Sequence, residues 1–294
     1  MACTRLHFLK FFCPEQLAMM SFTSRAPGRR RIESGVVRRS KARSFVWALS
    51  LFAGVSLAPP AMAAPEEIQV YLDDMSEPGK FGVDVHNNYV FSGNSKPSYP
   101  GEQPPAHVYR LTPEFYYGLT DTLELGLYVL GTRTAASNTS VVGGKFRIKY
   151  IAPHDKEQGF FWGANLEVGR TDLRVSPTPW NAELKGIFGY RTGPWTLAVN
   201  PNFDWSISRG GGPVTFDVDA KVAYAIDAKT QIGFETYNEL GPLRHLDSLS
   251  KNSKTLFAVV DHEFTGFDVN LGIGKGITKE ADKWTLKFIV GTHF

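Results

Sequence analysis

The 294-residue chain has no hydrophobic run long enough to cross a bilayer as a helix. Its longest, Phe45–Leu57, falls short of the roughly 20 apolar residues such a span needs, which excludes a helical membrane bundle. Cysteine is nearly missing, with Cys3 and Cys13 the only two, so a disulfide scaffold is excluded. Neither a collagen-like repeat nor the low apolar content of a disordered chain is present, since 43% of residues are hydrophobic. No stretch carries a convincing 3.6-residue periodicity, so helices are not expected.

What is there begins with an address. Arg29-Arg30-Arg31, Arg38-Arg39, Lys41 and Arg43 form a basic region, Phe45–Leu57 an apolar region, and Ala61-Met62-Ala63 a small-x-small cleavage site. Residues 1–63 therefore read as a secretory signal peptide and stand apart from the fold. The basic region is long, which points to a true start downstream of Met1, at Met19, Met20 or an alternative codon. Removing these residues changes the charge. Of 32 Lys+Arg and 29 Asp+Glu, ten and two leave, so the formal charge of +3 becomes −5. A nucleic-acid partner loses its electrostatic support. Both cysteines leave as well, and with them any thiolate metal site or Cys nucleophile.

From Phe81 onward one theme repeats. Runs that alternate large apolar residues with polar residues or glycine are separated by turn residues, and period two predicts β-strands with two unlike faces. The runs are Phe81–Phe91, Val108–Tyr117, Leu123–Leu130, Val142–Tyr150, Phe160–Val168, Asn181–Tyr190, Trp195–Trp205, Val214–Tyr224, Gln231–Glu239, Thr255–Phe264, Phe267–Ile273 and Trp284–Phe294. Connections alternate between short (Gly118–Thr122, Arg191–Pro194, Thr265–Gly266) and long (Gly93–Pro105, Gly131–Val141, Leu240–Lys254). Twelve antiparallel strands with short turns at one end and long loops at the other predict an all-β transmembrane up-and-down barrel over residues 81–294. Closure is required because an open sheet edge in hydrocarbon leaves backbone groups unpaired.

Aromatic placement says which face meets lipid. Tyr117, Tyr150, Trp162, Tyr190, Trp195, Tyr224 and Phe267 gather at the short-turn ends, and Phe91, Tyr109, Trp205 and Trp284 at the long-loop ends. Two such girdles mark the two interfaces of a membrane. The last run ends on Phe294 in step with Trp284, Leu286, Phe288 and Val290, which resembles the C-terminal signal by which bacterial outer-membrane barrels meet their assembly machinery. Outer-membrane lipid and that machinery are the expected partners, beside a small solute of unknown identity.

The stretch Tyr117-Gly118-Leu119-Thr120-Asp121-Thr122-Leu123-Glu124-Leu125-Gly126-Leu127 resembles the tyrosine-glycine-leucine-threonine-aspartate turn of a bacterial group of outer-membrane barrels, the transporter group labelled meta-pathway of phenol degradation. Lys145–Tyr150 and Lys287–Phe294 are similar in style. The resemblance implies a passive channel or transporter and carries over no substrate residues.

The polar face supplies the candidate site. Its expected bases are Arg110, Lys145, Arg147, Lys149, Lys185 and Lys221, concentrated on runs two to six. Its expected acids are Asp84, Glu114, Glu124, Glu167, Asp204, Asp217, Asp219, Glu235 and Asp268, with runs seven to nine the most acidic. Arg110, Glu114, Glu124, Lys145, Arg147, Lys149, Glu167, Lys185, Asp217, Asp219 and Glu235 are the candidates for lining a selective lumen. Two readings stand side by side: opposed walls that orient a polar solute, or neighbours such as Glu124, Lys145 and Glu167 that pair across strands and stiffen the barrel. Twelve strands fall between barrels filled by side chains and barrels with an open channel.

Enzymatic readings find little. The outer-membrane phospholipase family uses a His-x-Ser pair, and none of His86, His107, His154, His245, His262 or His293 has serine two positions on. Asp84 and His86 share a face, as an omptin-type site needs, but such a pair more often means a satisfied interior hydrogen bond than a dyad. Gly210-Gly211-Gly212 lacks the Gly-Lys-Ser/Thr of a phosphate loop. Asp73-Asp74 alone are too few for a calcium loop. No cofactor, metal or catalytic residue is expected. Residues 64–80 admit three places: a cap on the periplasmic mouth, an extension of the first strand, or a plug in the lumen. The expected function is passive diffusion of small polar or amphipathic solutes through a charged lumen. The alternative is a structural or surface-interaction barrel with a closed lumen and working loops.

Overall fold

The computed structural model describes residues 66–134, 136, 139–247 and 251–294; the expected signal peptide lies outside them. Twelve strands follow one another: β1 (Phe81–Ser92), β2 (Tyr109–Thr120), β3 (Leu123–Arg133), β4 (Thr139–Ile151), β5 (Gly159–Thr171), β6 (Trp180–Thr192), β7 (Trp195–Ser206), β8 (Thr215–Ala225), β9 (Thr230–Pro242), β10 (Lys254–Phe264), β11 (Phe267–Gly276) and β12 (Trp284–His293). Each pairs antiparallel with its sequence neighbours. β1 closes on β12, with Val85 opposite Val290 and Tyr89 opposite Leu286. Closure leaves no sheet edge, the condition for a β-structure in hydrocarbon.

The faces divide as the alternation requires. Leu127, Phe146, Val199, Phe234 and Leu271 point outward, and Phe234 is 60% exposed. The residues between them turn inward, where His86, Asn165, Asn200 and Lys287 have no accessible surface at all. This is a water-soluble protein turned inside out: the apolar atoms face the surroundings and the polar atoms face one another. No helix among the described residues is long and apolar enough to cross a membrane; the strands make the crossing. The short-turn girdle is stitched by ring contacts, Trp195 against Tyr224 at 4.9 Å and Phe264 stacked on Phe267 at 4.7 Å. At the opposite rim Trp180, half exposed at the head of β6, joins Phe91 and Trp284, a member the alternating runs did not include.

Several strands run on past the ends read from the sequence, while β2, β8 and β12 each give up one residue, Val108, Val214 and Phe294. The loop expected over Gly131–Val141 is shorter, because β3 continues to Arg133 and β4 starts at Thr139, with Thr132 opposite Ser140 across a register shift at Leu130/Gly131. β5 likewise continues to Thr171 and β9 to Pro242. Beyond the lipid the outward face no longer needs to be apolar, so the alternation fades while the hydrogen-bond ladder goes on.

Residues 66–80 run inside the barrel. Asn88 Nδ2 of β1 and Thr112 Oγ1 of β2 donate to the Glu66 carbonyl at 3.1 and 3.2 Å. Lys287 Nζ of β12 donates to the Ile68 carbonyl at 3.2 Å. The side chain of Asn200 in β7 brackets Tyr71, accepting from its N–H at 2.6 Å and donating to its carbonyl at 3.1 Å. Glu124 of β3 accepts from the Ser76 N–H at 2.7 Å. Only a segment in the lumen reaches walls on opposite sides. Tyr71 packs with Leu72 and Met75 against inward Ile151, Phe161 and Ile187, and Phe161 lies over Gly189, where any side chain would collide with its ring. The segment leaves at the short-turn end through an isolated bridge between Pro78 and Gly118. A Cβ on Gly118 would run into the Glu77 carbonyl, so this crossing needs glycine.

Candidate functional site

The lumen has two unlike walls. On β1–β4, Glu124 stands directly opposite Lys149, while Asp84 stands directly opposite Glu114 and accepts from Tyr116 Oη at 2.9 Å. Arg147 Nη2 lies 2.8 Å from Glu114 and 2.5 Å from Glu124, and Lys149 Nζ lies 2.9 Å from Glu124. His86 Nε2 meets Glu114 at 3.2 Å. Lys145 bridges Glu167 at 3.5 Å and Glu66 at 3.8 Å. Buried charges persist when paired and hydrogen-bonded, and this chain of alternating sign satisfies the rule from His86 to Lys149. A second, shorter chain spans β8–β12: Lys221 lies 3.2 Å from Glu235 and 2.8 Å from Asp261, and Lys287 bonds Glu235 from the other side.

On β6–β9, near the long-loop end, the pattern breaks. Glu183 lies directly opposite both Glu167 and Asp204, and Asp217 directly opposite Glu239. Like charges directly opposite on one face are destabilising. Asp219 joins them, accepting from Asn202 Nδ2 at 2.7 Å. Among the described residues, the one base bonded to an acid of this group is Lys185, 3.1 Å from Glu183.

These acids line a cavity of about 320 Å³. Its floor is Glu67, Ile68 and Gln69 of the internal segment; its upper rim comes from Asn94, Ser98 and Glu102 of the β1–β2 connection and from Glu280 and Asp282 before β12. Arg110 enters from β2, 2% exposed, with Nε and Nη2 unpaired among the described residues.

The eleven candidate residues therefore fall into three groups. Glu114, Glu124, Lys145, Arg147, Lys149 and Glu167 belong to the alternating wall below the cavity. Glu235 belongs to the chain on β8–β12. Arg110, Lys185, Asp217 and Asp219 line the cavity itself. The pairing expected among Glu124, Lys145 and Glu167 is redistributed: Lys145 does reach Glu167, but Glu124 is taken by Arg147, Lys149 and the segment's backbone. Sequence reasoning passed over Glu183, Glu239, Asp261 and Lys287. All four stand at inward positions of the alternation, Lys287 between outward Leu286 and Phe288, so the signal was present.

One cluster among the described residues invites a metal reading, and so does Asp73. Glu67, His86 and Glu114 bring one ligand atom each within 4.8 Å of one another. Glu114 is already held by Arg147 and His86, and Glu67 accepts from Tyr71 Oη at 2.7 Å. A guanidinium in contact with the carboxylate opposes a cation there. Asp73 is likewise occupied, by Arg191 at 2.5 and 2.6 Å and by His154 at 2.6 Å. Asp172, in the β5–β6 connection, is held below the usual carboxylate range by its hydrogen bonds from Arg174.

A closed antiparallel barrel with an apolar belt, aromatic girdles and a polar interior is an outer-membrane β-barrel. No family model matches the sequence, and no curated protein is similar to it. Among solved structures the chain is similar to the KdgM porin in complex with disordered oligogalacturonate, at 8% identity and TM-score 0.48, covering 72% of this chain and 98% of that one. It is also similar to LpxR from Salmonella typhimurium, at 8% identity and TM-score 0.37 over 72% and 100% of the chains. A third is the translocator domain of autotransporter NalP from Neisseria meningitidis, at 13% and 0.37 over 76% and 90%. At this level of likeness no function passes to the chain, and its own residues must carry the functional reading.

Proposed function

We propose that this barrel is a non-enzymatic outer-membrane channel through which small polar or amphipathic solutes diffuse passively, sorted by size and by the charges of the lumen. The observation that carries this reading is the polar cavity of about 320 Å³ at the long-loop end, floored by the internal segment rather than by the barrel wall. A solute entering from the loop side meets charged groups first, then a floor of Ile68 and its neighbours. Passage requires the segment to shift within the lumen, so the channel is gated. The turn at Tyr117–Leu127 supports kinship with the transporter group labelled meta-pathway of phenol degradation. The exposure of Phe294, 71% at the short-turn rim with its N–H donating to the Phe81 carbonyl at 2.7 Å, supports reading it as the signal for the barrel-assembly machinery.

The hydrogen bonds that hold the segment favour a second reading, a barrel kept shut whose loops do the work. Single-channel recording of the mature protein in a planar bilayer separates the two, with heat-modifiable gel mobility as the folding control. Discrete conductance steps are the expected result, larger and more frequent in Asn200→Ala, which releases Tyr71. A folded barrel that stays silent in both proteins would overturn the channel reading in favour of the loops.

A further inference from the structure

The acid-on-acid pairing of β6–β9 has a single bonded base among the described residues, Lys185 on Glu183. Glu183, Asp204, Asp217, Asp219 and Glu239 line one side of the cavity. Three of their direct cross-strand pairings are carboxylate against carboxylate once Glu167 is included. Where Asp84 faces Glu114 on β1–β2, Arg147 and His86 hold the Glu114 carboxylate; here five acids share one bonded base, Lys185, at a cost in stability.

A second observation concerns Asn202, in the middle of the patch and directly opposite Asp217. It is 4% exposed and lines the same cavity. Its amide donates to Asp219, which fixes the orientation of the group, and its Oδ1 is left with no donor. A buried polar atom without a partner calls for an explanation. Here an acceptor waits among acceptors, so the missing group is a donor bearing positive charge.

We propose that the β6–β9 wall is a binding site for an organic oligoamine, a flexible solute carrying two or more ammonium groups. A single metal ion fits less well. Among the described residues, three ligand atoms converge within 4.8 Å only at Glu67, His86 and Glu114, and the acids of this patch are spread over four strands. Spaced ammonium groups match spaced carboxylates, each with three donors to share. The cavity volume lies in the range of small-ligand sites, and acids in a cleft with low-dielectric walls concentrate cations. Arg110, across the cavity on β2 with Nε and Nη2 unpaired among the described residues, repels the same solute toward the acidic wall. The proposal names the solute class for the channel reading and rests on that reading only for passage, not for binding.

The test uses the mature barrel in detergent micelles, titrated with spermidine by isothermal calorimetry, with calcium chloride as the competing probe. Saturable spermidine binding is expected, about tenfold or more weaker in Asp217→Asn/Glu239→Gln. It should be unchanged in Asp268→Asn, whose carboxylate lies at the other end of the lumen. If the double variant does not refold, Asp204→Asn alone serves, together with the fall of wild-type affinity with salt. No saturable binding, equal binding by the neutralised variants, or displacement of spermidine by calcium at matching concentrations would each overturn the proposal. Binding without conductance overturns the channel reading and leaves this one standing; conductance without binding does the reverse.

Discussion

The walls of the lumen built by β1–β4 and by β6–β9 use the same residue types to opposite ends. On the first, Glu114 and Glu124 share Arg147, and Glu124 also takes Lys149. On the second, Glu183 faces Asp204 and Asp217 faces Glu239. The first arrangement neutralises itself and fixes strand against strand. The second has five acids to one bonded base, Lys185, which is why it is assigned to a cationic solute. Buried charge in one barrel thus serves cohesion on one side and capture on the other, and the strand register decides which.

The difference is testable by removing charge from each side. Arg147→Met takes the shared guanidinium from two buried carboxylates and leaves Glu114 with His86 and Glu124 with Lys149, so the cost should approach the lower end of the roughly 3–5 kcal/mol for breaking a buried pair; the urea midpoint of the micellar barrel should fall accordingly. An unchanged midpoint would show that water, not Arg147, satisfies Glu114 and Glu124. The next effect is on gating. Burial, followed by the charge of Glu167, pushes Glu67 up to about 7, whereas a released segment would return it to its ordinary value of 4.5. The docked segment therefore binds a proton more tightly than the free one. Its docking is strongest below pH 4.5 and weakens as pH rises toward 7. Open probability should climb across that window, and Glu67→Gln should flatten the climb; a profile that falls instead would sink this account of the gate.

Smaller effects sharpen the contrast. Asp217→Asn/Glu239→Gln should raise stability by up to about 1 kcal/mol, because it deletes a like-charge pair. The sign is opposite to that of Arg147→Met, and a loss in both would mean the two walls are energetically alike. Neutralising Lys145 and Lys149 together should move the reversal potential of open channels toward cations, as long as the charges lie along the path. The slightest effect is expected from Arg110→Gln, a modest tightening of spermidine binding as repulsion across the cavity is lifted.

Much of this was legible in the sequence. Which residues face lipid follows from the alternation alone, and Leu125, Leu127 and Val129 lie outward while Glu124, Tyr128 and Leu130 lie inward. Who pairs with whom was less legible. Long side chains reach diagonally, so Arg147 bonds Glu124 although its direct neighbours across the strands are Gly126 and Glu167. The internal segment was the hardest part. Ile68, Val70 and Leu72 alternate as a strand would, yet Tyr71, on the supposed polar side, is buried as well. Inside a lumen there is no polar side: walls surround the chain on all faces, and the two-face rule that reads a sheet does not apply.

That internal segment has a kinetic consequence. Its partners Asn200 and Lys287 stand on β7 and β12, and the lumen they share is enclosed only when β1 and β12 zip together. These bonds form after the slow, long-range step of closure and are the first to resist its reversal. Substitutions such as Asn200→Ala should leave the rate of barrel assembly nearly untouched and shorten the lifetime of the finished barrel. The thread through the middle is a latch on unfolding rather than a guide to folding.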